Sequence, residues 1–263
     1  MRLFLIAALL IFVDFFPEPA RAGAWTLDRG ETQVITSVTF SRASRRFDGT
    51  GKPSQKMVFD KLFAQNSFEY GLTNAVTLYA APEYVMAQSG GDGQATVRAR
   101  SAAVEAGVRI LLLTRIGMFS IQGSGKTAGA FDMSVSAGKA SGSQAELRLL
   151  YGRNYKLLGL DGFADLQVAE RWIRRPRPNE MAIDATLGLW LTPKTLAMVK
   201  SYNIISGGGG QPPYTFYRMH KLEFSIVRRI TKRWSLQIGA FISPFGQNIV
   251  DERGVGSAIW YRF

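Results

Sequence analysis

Twelve segments of this chain alternate apolar and polar residues with a period of two, and the connections between them alternate in length. The segments lie near 31–42, 56–72, 75–87, 101–114, 117–125, 143–153, 161–173, 180–192, 195–205, 217–230, 233–243 and 254–263. A period of two is the signature of a strand, because successive side chains point to opposite faces. Ten tilted strand residues, at about 3.3 Å each, give roughly 25 Å of vertical span, the height of a membrane's apolar band. Short turns fall at Leu72-Thr73-Asn74, Arg115-Ile116, Thr192-Pro193-Lys194 and Thr231-Lys232, with 154–160 a fifth and longer one. Between them lie polar stretches at 43–55, 88–100, 126–142, 174–179, 206–216 and 244–253. Short turns on one rim and long loops on the other describe an all-β, antiparallel up-and-down transmembrane β-barrel. An even number of strands brings both ends of the barrel to the short-turn rim.

The two faces of each segment differ in chemistry. Val104, Ala106, Val108, Ile110 and Leu112 share one side of the fourth, opposite Glu105, Gly107 and Arg109. In the eighth, Ile183, Ala185, Leu187, Leu189 and Leu191 oppose Asp184, Thr186 and Gly188. Such alternation fits an apolar face turned to lipid or to a soluble core. The two chain ends and the loop asymmetry point to lipid outside.

At the N-terminus, Arg2, the apolar run Leu3–Val13 and Ala20-Arg21-Ala22 read as the three parts of a secretory signal peptide cleaved after Ala22. The run is too short to span a bilayer as a helix, and no other stretch approaches eighteen apolar residues. Residues 1–22 are therefore expected to be removed, leaving 23–263 as a single barrel domain. The absence of cysteine excludes a disulfide scaffold and a thiolate metal site. A net charge of +12 invites a nucleic-acid reading. An exported chain meets little nucleic acid, so lipopolysaccharide or an acidic solute is the better electrostatic partner.

The chain closes on Ile259-Trp260-Tyr261-Arg262-Phe263, with Ile259, Tyr261 and Phe263 on one face. A last strand ending in Phe resembles the signature of Gram-negative outer-membrane β-barrels. That resemblance implies an outer-membrane location after signal cleavage, and makes these three residues the signal for the barrel-assembly machinery.

No motif nominates a catalytic site, a metal or a cofactor. Gly123-Ser124-Gly125-Lys126-Thr127 looks like the end of a phosphate-binding loop, but Ser120 stands where that loop needs glycine and no helix pattern follows. His220, the only histidine, shares a face with Leu222, Phe224 and Ile226, which sets it on the lipid side near the outer interface. A lipid hydrolase would need an activated serine and an orienting group on that face. The lumen-facing charges are the stronger candidates: Lys61, Glu69, Glu83, Glu105, Arg109, Glu146, Arg148, Asp165, Asp184, Lys221 and Glu223. Inside a barrel they line a hydrated path with charge-set selectivity, or they pair into a plug. Twelve strands allow either. Basic residues gather in the outer loops and strand tops, at Arg45, Arg46, Arg98, Arg100, Arg174, Arg175 and Arg177. They suit lipopolysaccharide phosphates or an anionic or polysaccharide substrate. Aromatics near strand ends, Trp25, Tyr70, Tyr79, Tyr84, Tyr151, Trp172, Trp190, Tyr202, Tyr214 and Tyr217, are expected to form interfacial girdles.

The stretch Gly23-Ala24-Trp25-Thr26-Leu27-Asp28-Arg29-Gly30-Glu31-Thr32-Gln33-Val34-Ile35 resembles the opening of XagA-like proteins, outer-membrane barrels grouped with the MetA-like proteins of phenol degradation. The hairpin Glu69–Leu78 resembles a turn common in that group. The resemblance implies a channel or transporter for a small solute, or an accessory to exopolysaccharide export. The alternative is a closed barrel serving surface adhesion and biofilm structure.

Overall fold

A computed structural model describes residues 23–91, 96–127, 142–208 and 214–263. The signal read over 1–22 and parts of three long loops lie outside the described residues. Twelve strands follow in order: β1 Thr32–Phe47, β2 Pro53–Thr73, β3 Val76–Gly91, β4 Val97–Leu113, β5 Met118–Lys126 and β6 Gln144–Leu157. Then come β7 Leu160–Ile173, β8 Glu180–Thr192, β9 Thr195–Ser206, β10 Arg218–Arg229, β11 Trp234–Gln247 and β12 Arg253–Arg262. Each pairs antiparallel with its sequence neighbours, and β1 closes on β12 from Gln33↔Arg262 to Arg42↔Arg253. Closure removes every sheet edge, which a lipid environment demands because unpaired backbone groups find no water there.

The turns 74–75, 114–117, 158–159, 193–194 and 230–233 share one rim, and the long loops share the other. The connection expected over 154–160 is much tighter. β6 and β7 stay paired to Leu157↔Leu160, and Leu158 and Gly159 turn the chain at φ 52° and 81°. Left-handed conformation at both central positions matches the twist of the flanking strands. The loops lose residues to the strands as well, since β1 and β2 rise past Arg42 and Lys56 and the turn between them shrinks to 48–52.

Exposed on the outer face are Val104, Val108, Ile110 and Leu112 of β4, Leu236, Ile238 and Ile242 of β11, and Ile259 of β12. Trp234, Tyr261 and Phe263 stack in series at the short-turn rim, with centroids 4.3 and 5.1 Å apart. Of the ten aromatics assigned to girdles, Tyr70, Tyr84, Tyr151 and Trp172 stand on this face. Tyr79, Trp190 and Tyr202 face the interior on their strands, and Trp25, Tyr214 and Tyr217 are buried outside them. Position along a strand does not determine facing; phase does, and the phase of these residues matches the charged side.

Two non-strand segments occupy the ends of the interior. Residues 23–30 form a strap that turns into the barrel below β1, with Ala24, Trp25, Thr26 and Leu27 buried. Its hydrogen bonds cross the interior: Ala24 N–H donates to Asp165 on β7, Ser120 on β5 donates to Ala24 O, and Arg109 on β4 donates to Trp25 O. Leu27 N–H then donates to Thr77 on β3, and Gly30 N–H to Gly71 O on β2. Trp25 meets Phe163 edge-on at 5.9 Å. Together with Leu150, Trp190, Leu196, Met198 and Val227 they form an apolar layer across the short-turn end, flanked by Met118 and Trp260. At the opposite end, loop 248–252 folds inward. Val250 packs on Ala43 and Phe59, and Ile249 on Phe47 and Tyr217.

Glycine makes room for the strap. A Cβ on Gly71 would stand 2.0 Å from Asp28 O, and one on Gly152 would stand 2.6 Å from the Trp25 ring. The first obstacle is backbone and cannot rotate away. Gly71→Ala is therefore expected to free the strap while leaving the strands paired. Trypsin cleavage after exposed Arg29 should become fast in this variant and stay slow in the parent; equal rates in the two proteins would contradict the strap's docking.

Candidate functional site

Period-two phase places all eleven sequence-nominated charges on the inner face, and the fold gathers most of them into ion pairs. On β6, Arg148 donates through Nε to Glu146 at 2.6 Å and through Nη1 to Asp184 at 2.7 Å and Gln167 at 2.7 Å. Glu146 also accepts from Arg171, which reaches on to Glu180. Arg177 and the Tyr217 hydroxyl complete this cluster on the Glu180 carboxylate. Arg109 binds Glu69 and Gln122 at 3.1 and 3.0 Å as well as the strap. Tyr79 donates to Glu105 at 2.9 Å, and Lys126 pairs with Glu83 at 2.7 Å. Lys200 pairs with Glu223 at 3.3 Å. A low-dielectric wall demands such pairing, since an isolated buried charge costs far more than a hydrated one.

The most enclosed of these groups is Glu252, in the inward loop 248–252, at 0% exposure. It binds Lys61 at 2.5 Å and Lys221 at 3.0 Å, and Ser41 donates to it. Burial opposes its ionisation, but Lys221, Lys61 and the hydrogen bonds outweigh burial and hold its carboxyl well below the usual carboxylate range. Asp48, in the exposed turn 48–52, is also held low, by hydrogen bonds from Ser54 and Thr50 and the Lys52 N–H. Lys221 lies 4.3 Å from the Phe241 ring centre as well. Burial beside Glu180 raises the Tyr217 phenol.

Within the barrel lies a cavity of about 530 Å³. Phe63, Phe163, Phe241 and Trp260 supply its flat apolar walls. Gln65, Gln167, Thr186 and Gln237 supply neutral hydrogen-bonding groups, and of the charged lining residues all but Asp165 are ion-paired. The arrangement suits a small molecule with an apolar face and polar edges.

Several contributors escape a reading of the sequence. Glu252 sits in a segment that reads as an outer loop, Arg171 and Glu180 flank another, and Trp25 precedes the first strand. Arg171 and Glu180 carry a usable signal, since their phase continues the charged faces of β7 and β8. Glu252 and Trp25 carry none, because their segments are not periodic.

The outer-loop basic residues divide. Arg98, Arg100, Arg174 and Arg175 are exposed, and Arg45 lies 3.6 Å from Asp251. Arg46 and Arg177 are drawn inward instead, Arg46 to Asn248 O and Arg177 to Glu180 and Tyr217. Ile259 and Tyr261 face outward on β12, which is paired on both sides, and Phe263 follows it, exposed. Gly123–Lys126 is strand rather than a phosphate loop.

His220 lies on the outer face, stacked on exposed Phe245 at 4.2 Å. Sequence nominated no orienting group or serine there, yet β9 brings both. His220 Nδ1 is hydrogen-bonded to the Asn203 amide oxygen, and the Asn203 amide donates to Ser201 at 3.1 Å. That serine is thus tied to the asparagine, and among the described residues no serine hydrogen-bonds the imidazole.

The barrel is similar to the COG4313 outer membrane channel from Pseudomonas putida F1, at TM-score 0.71 and 12% identity over 91% of this chain and 98% of that one. It is also similar to the translocator domain of the autotransporter NalP from Neisseria meningitidis, at TM-score 0.59 and 13% identity over 90% of each chain. The NanC porin follows at TM-score 0.52 and 7% identity, over 87% of this chain and 98% of that one. At these identities the likeness is one of fold, the fold of outer-membrane barrels. No family model and no curated protein matches the chain.

Proposed function

We propose that this chain is a Gram-negative outer-membrane channel or transporter for a small solute, with the short-turn rim in the periplasm. The observation that carries the reading is the lumen cavity, walled by aromatics, neutral hydrogen-bonding groups and charged side chains. A structural barrel has no need of a cavity with committed charges, whereas a solute path needs charges that neither trap nor repel. The likeness to an outer-membrane channel and a porin supports the same reading. An accessory role in exopolysaccharide export fits less well, since a polymer needs a continuous bore and the strap and loop 248–252 interrupt one.

Planar-bilayer recording of refolded residues 23–263 tests the proposal. Discrete conductance steps, altered in ion selectivity by Arg148→Glu, are the expected result. Arg148 is the natural target, since it joins Glu146, Asp184 and Gln167.

The strap at one end and the inward-packed loop 248–252 at the other favour a second reading, a plugged barrel acting in surface adhesion. A silent membrane with heat-modifiable gel mobility would support it. Neutralising Arg98, Arg100, Arg174 and Arg175 should then reduce cell aggregation. A lipid hydrolase is the weakest reading, because among the described residues no serine hydrogen-bonds the His220 imidazole of the Asn203–His220 pair.

A further inference from the structure

The strap reaches deepest at Gly23, where the backbone meets Asp165 of β7. An ideal Cβ on Gly23 would stand 2.1 Å from an Asp165 carboxylate oxygen, and the residue takes φ +75°. Both facts demand glycine, which lacks the side chain and tolerates that dihedral. Ala24 N–H donates to the same carboxylate at 2.8 Å, and Gln167 Nε2 donates to its other oxygen at 2.6 Å. Asp165 is 5% exposed. Its neighbours on the inner wall are ion-paired, Asp184 with Arg148 and Glu69 with Arg109. Asp165 accepts hydrogen bonds from neutral groups only, among the described residues, and the two guanidiniums that attract it, Arg109 and Arg148, are bound to other carboxylates. An ionised carboxylate buried this far calls for a cation.

The cleavage expected after Ala22 would make Gly23 the first residue. We propose that the α-ammonium released by that cleavage is the cation for Asp165, and that this pair latches the strap as the gate at the short-turn end of the lumen. A free α-amino group, with an ordinary pKa of about 7.7–8.0, is largely protonated at neutral pH, and a carboxylate beside it favours that form further. An uncleaved chain offers a neutral peptide N–H at the same place. The latch therefore forms only after processing, which ties closure of the lumen to export of the chain. The gate rests on the channel reading above; the ion pair does not.

Protein purified from outer membranes in detergent provides the test. Intact mass and N-terminal sequencing identify the first residue. Brief acylation with an N-hydroxysuccinimide acetate at neutral pH, followed by peptide mass spectrometry, reads the accessibility of its amine. The expected result is a chain beginning at Gly23 whose amine reacts about tenfold or more slowly in the folded barrel than in urea. Asp165→Asn should remove most of that protection, keep heat-modifiable mobility and raise single-channel conductance. If Asp165→Asn does not fold, a refolded chain beginning at Ala22 moves the ammonium one residue away and should lose protection likewise. A different first residue, or a Gly23 amine reacting at the unfolded rate, would overturn the pairing. Protection that survives in both variants would remove Asp165 from it. Lost protection with unchanged conductance would overturn the gate, and a barrel silent in every variant would overturn the channel reading while the amine result stands.

Discussion

Glu252→Gln should be among the most damaging single substitutions in this barrel. The carboxylate is fully buried between Lys61 and Lys221, and glutamine keeps its shape while removing its charge. Two ammonium groups would then face each other without the carboxylate that joins them. Breaking a buried pair by neutralising one partner costs about 3–5 kcal/mol, because the remaining charge is left uncompensated. The resistance of the folded form to urea, followed by gel mobility, should fall accordingly. Adding Lys61→Met and Lys221→Met to the variant should recover much of the loss, since it is the uncompensated charge that destabilises. A Glu252→Gln barrel as resistant as the parent would show that water reaches the site and the mouth is open.

The pH dependence follows from the same group. The folded carboxyl of Glu252 is held below its unfolded value, about 4.3 for a free glutamate. Its contribution to stability is therefore fully present above that value and is lost as pH falls from there toward the folded pKa. Resistance to urea in the parent should be level through neutral pH and decline below about pH 4. The Glu252→Gln variant should lack this component of the acid decline. Asp48, also held low, adds to the decline in both proteins and so does not blur the difference.

The second large effect is expected at Trp25. Trp25→Ala removes the ring that meets Phe163 and fills the layer at the short-turn end. Large-to-small changes of this kind cost about 3–5 kcal/mol. The strands are held by their own ladders, so the loss falls mainly on docking of the strap. That cost corresponds to a factor of roughly a hundred to several thousand in the ratio of docked to undocked strap. Bilayer recordings should show longer and larger openings in Trp25→Ala, with the thermal stability of the barrel itself much less affected. Unchanged recordings together with collapse of the whole barrel would mean that the layer is structural and does not close a path.

The architecture was legible because membrane barrels repeat one rule. Each strand must present an apolar side to lipid and may keep polar groups on the other, so Val104 to Leu112 and Glu105 to Arg109 announce their faces in the sequence. Turn positions followed from the same rule, within a few residues. The tightness of the Leu158-Gly159 turn did not, because a leucine with positive φ has no local signature. The aromatics went astray for a related reason. Closeness to a strand end does not by itself place a ring at the interface: Tyr79 and Trp190 follow the phase of the charged side and turn inward.

The sequence by itself determined the strand count, the antiparallel order, the alternation of short and long connections, and which charges face inward. Period and spacing are local properties, and a barrel reads them out strand by strand. Only the tertiary structure decided how those charges are spent and what closes the lumen. Pairing between Arg148 and Asp184, or between Lys61 and Glu252, depends on strands brought side by side and on a loop folded back into the mouth. The strap depends on contacts from Gly23–Gly30 to residues as distant as Asp165, made by an aperiodic segment. Such contacts come from the shape of the space that remains once the barrel has closed, and no local pattern encodes that shape.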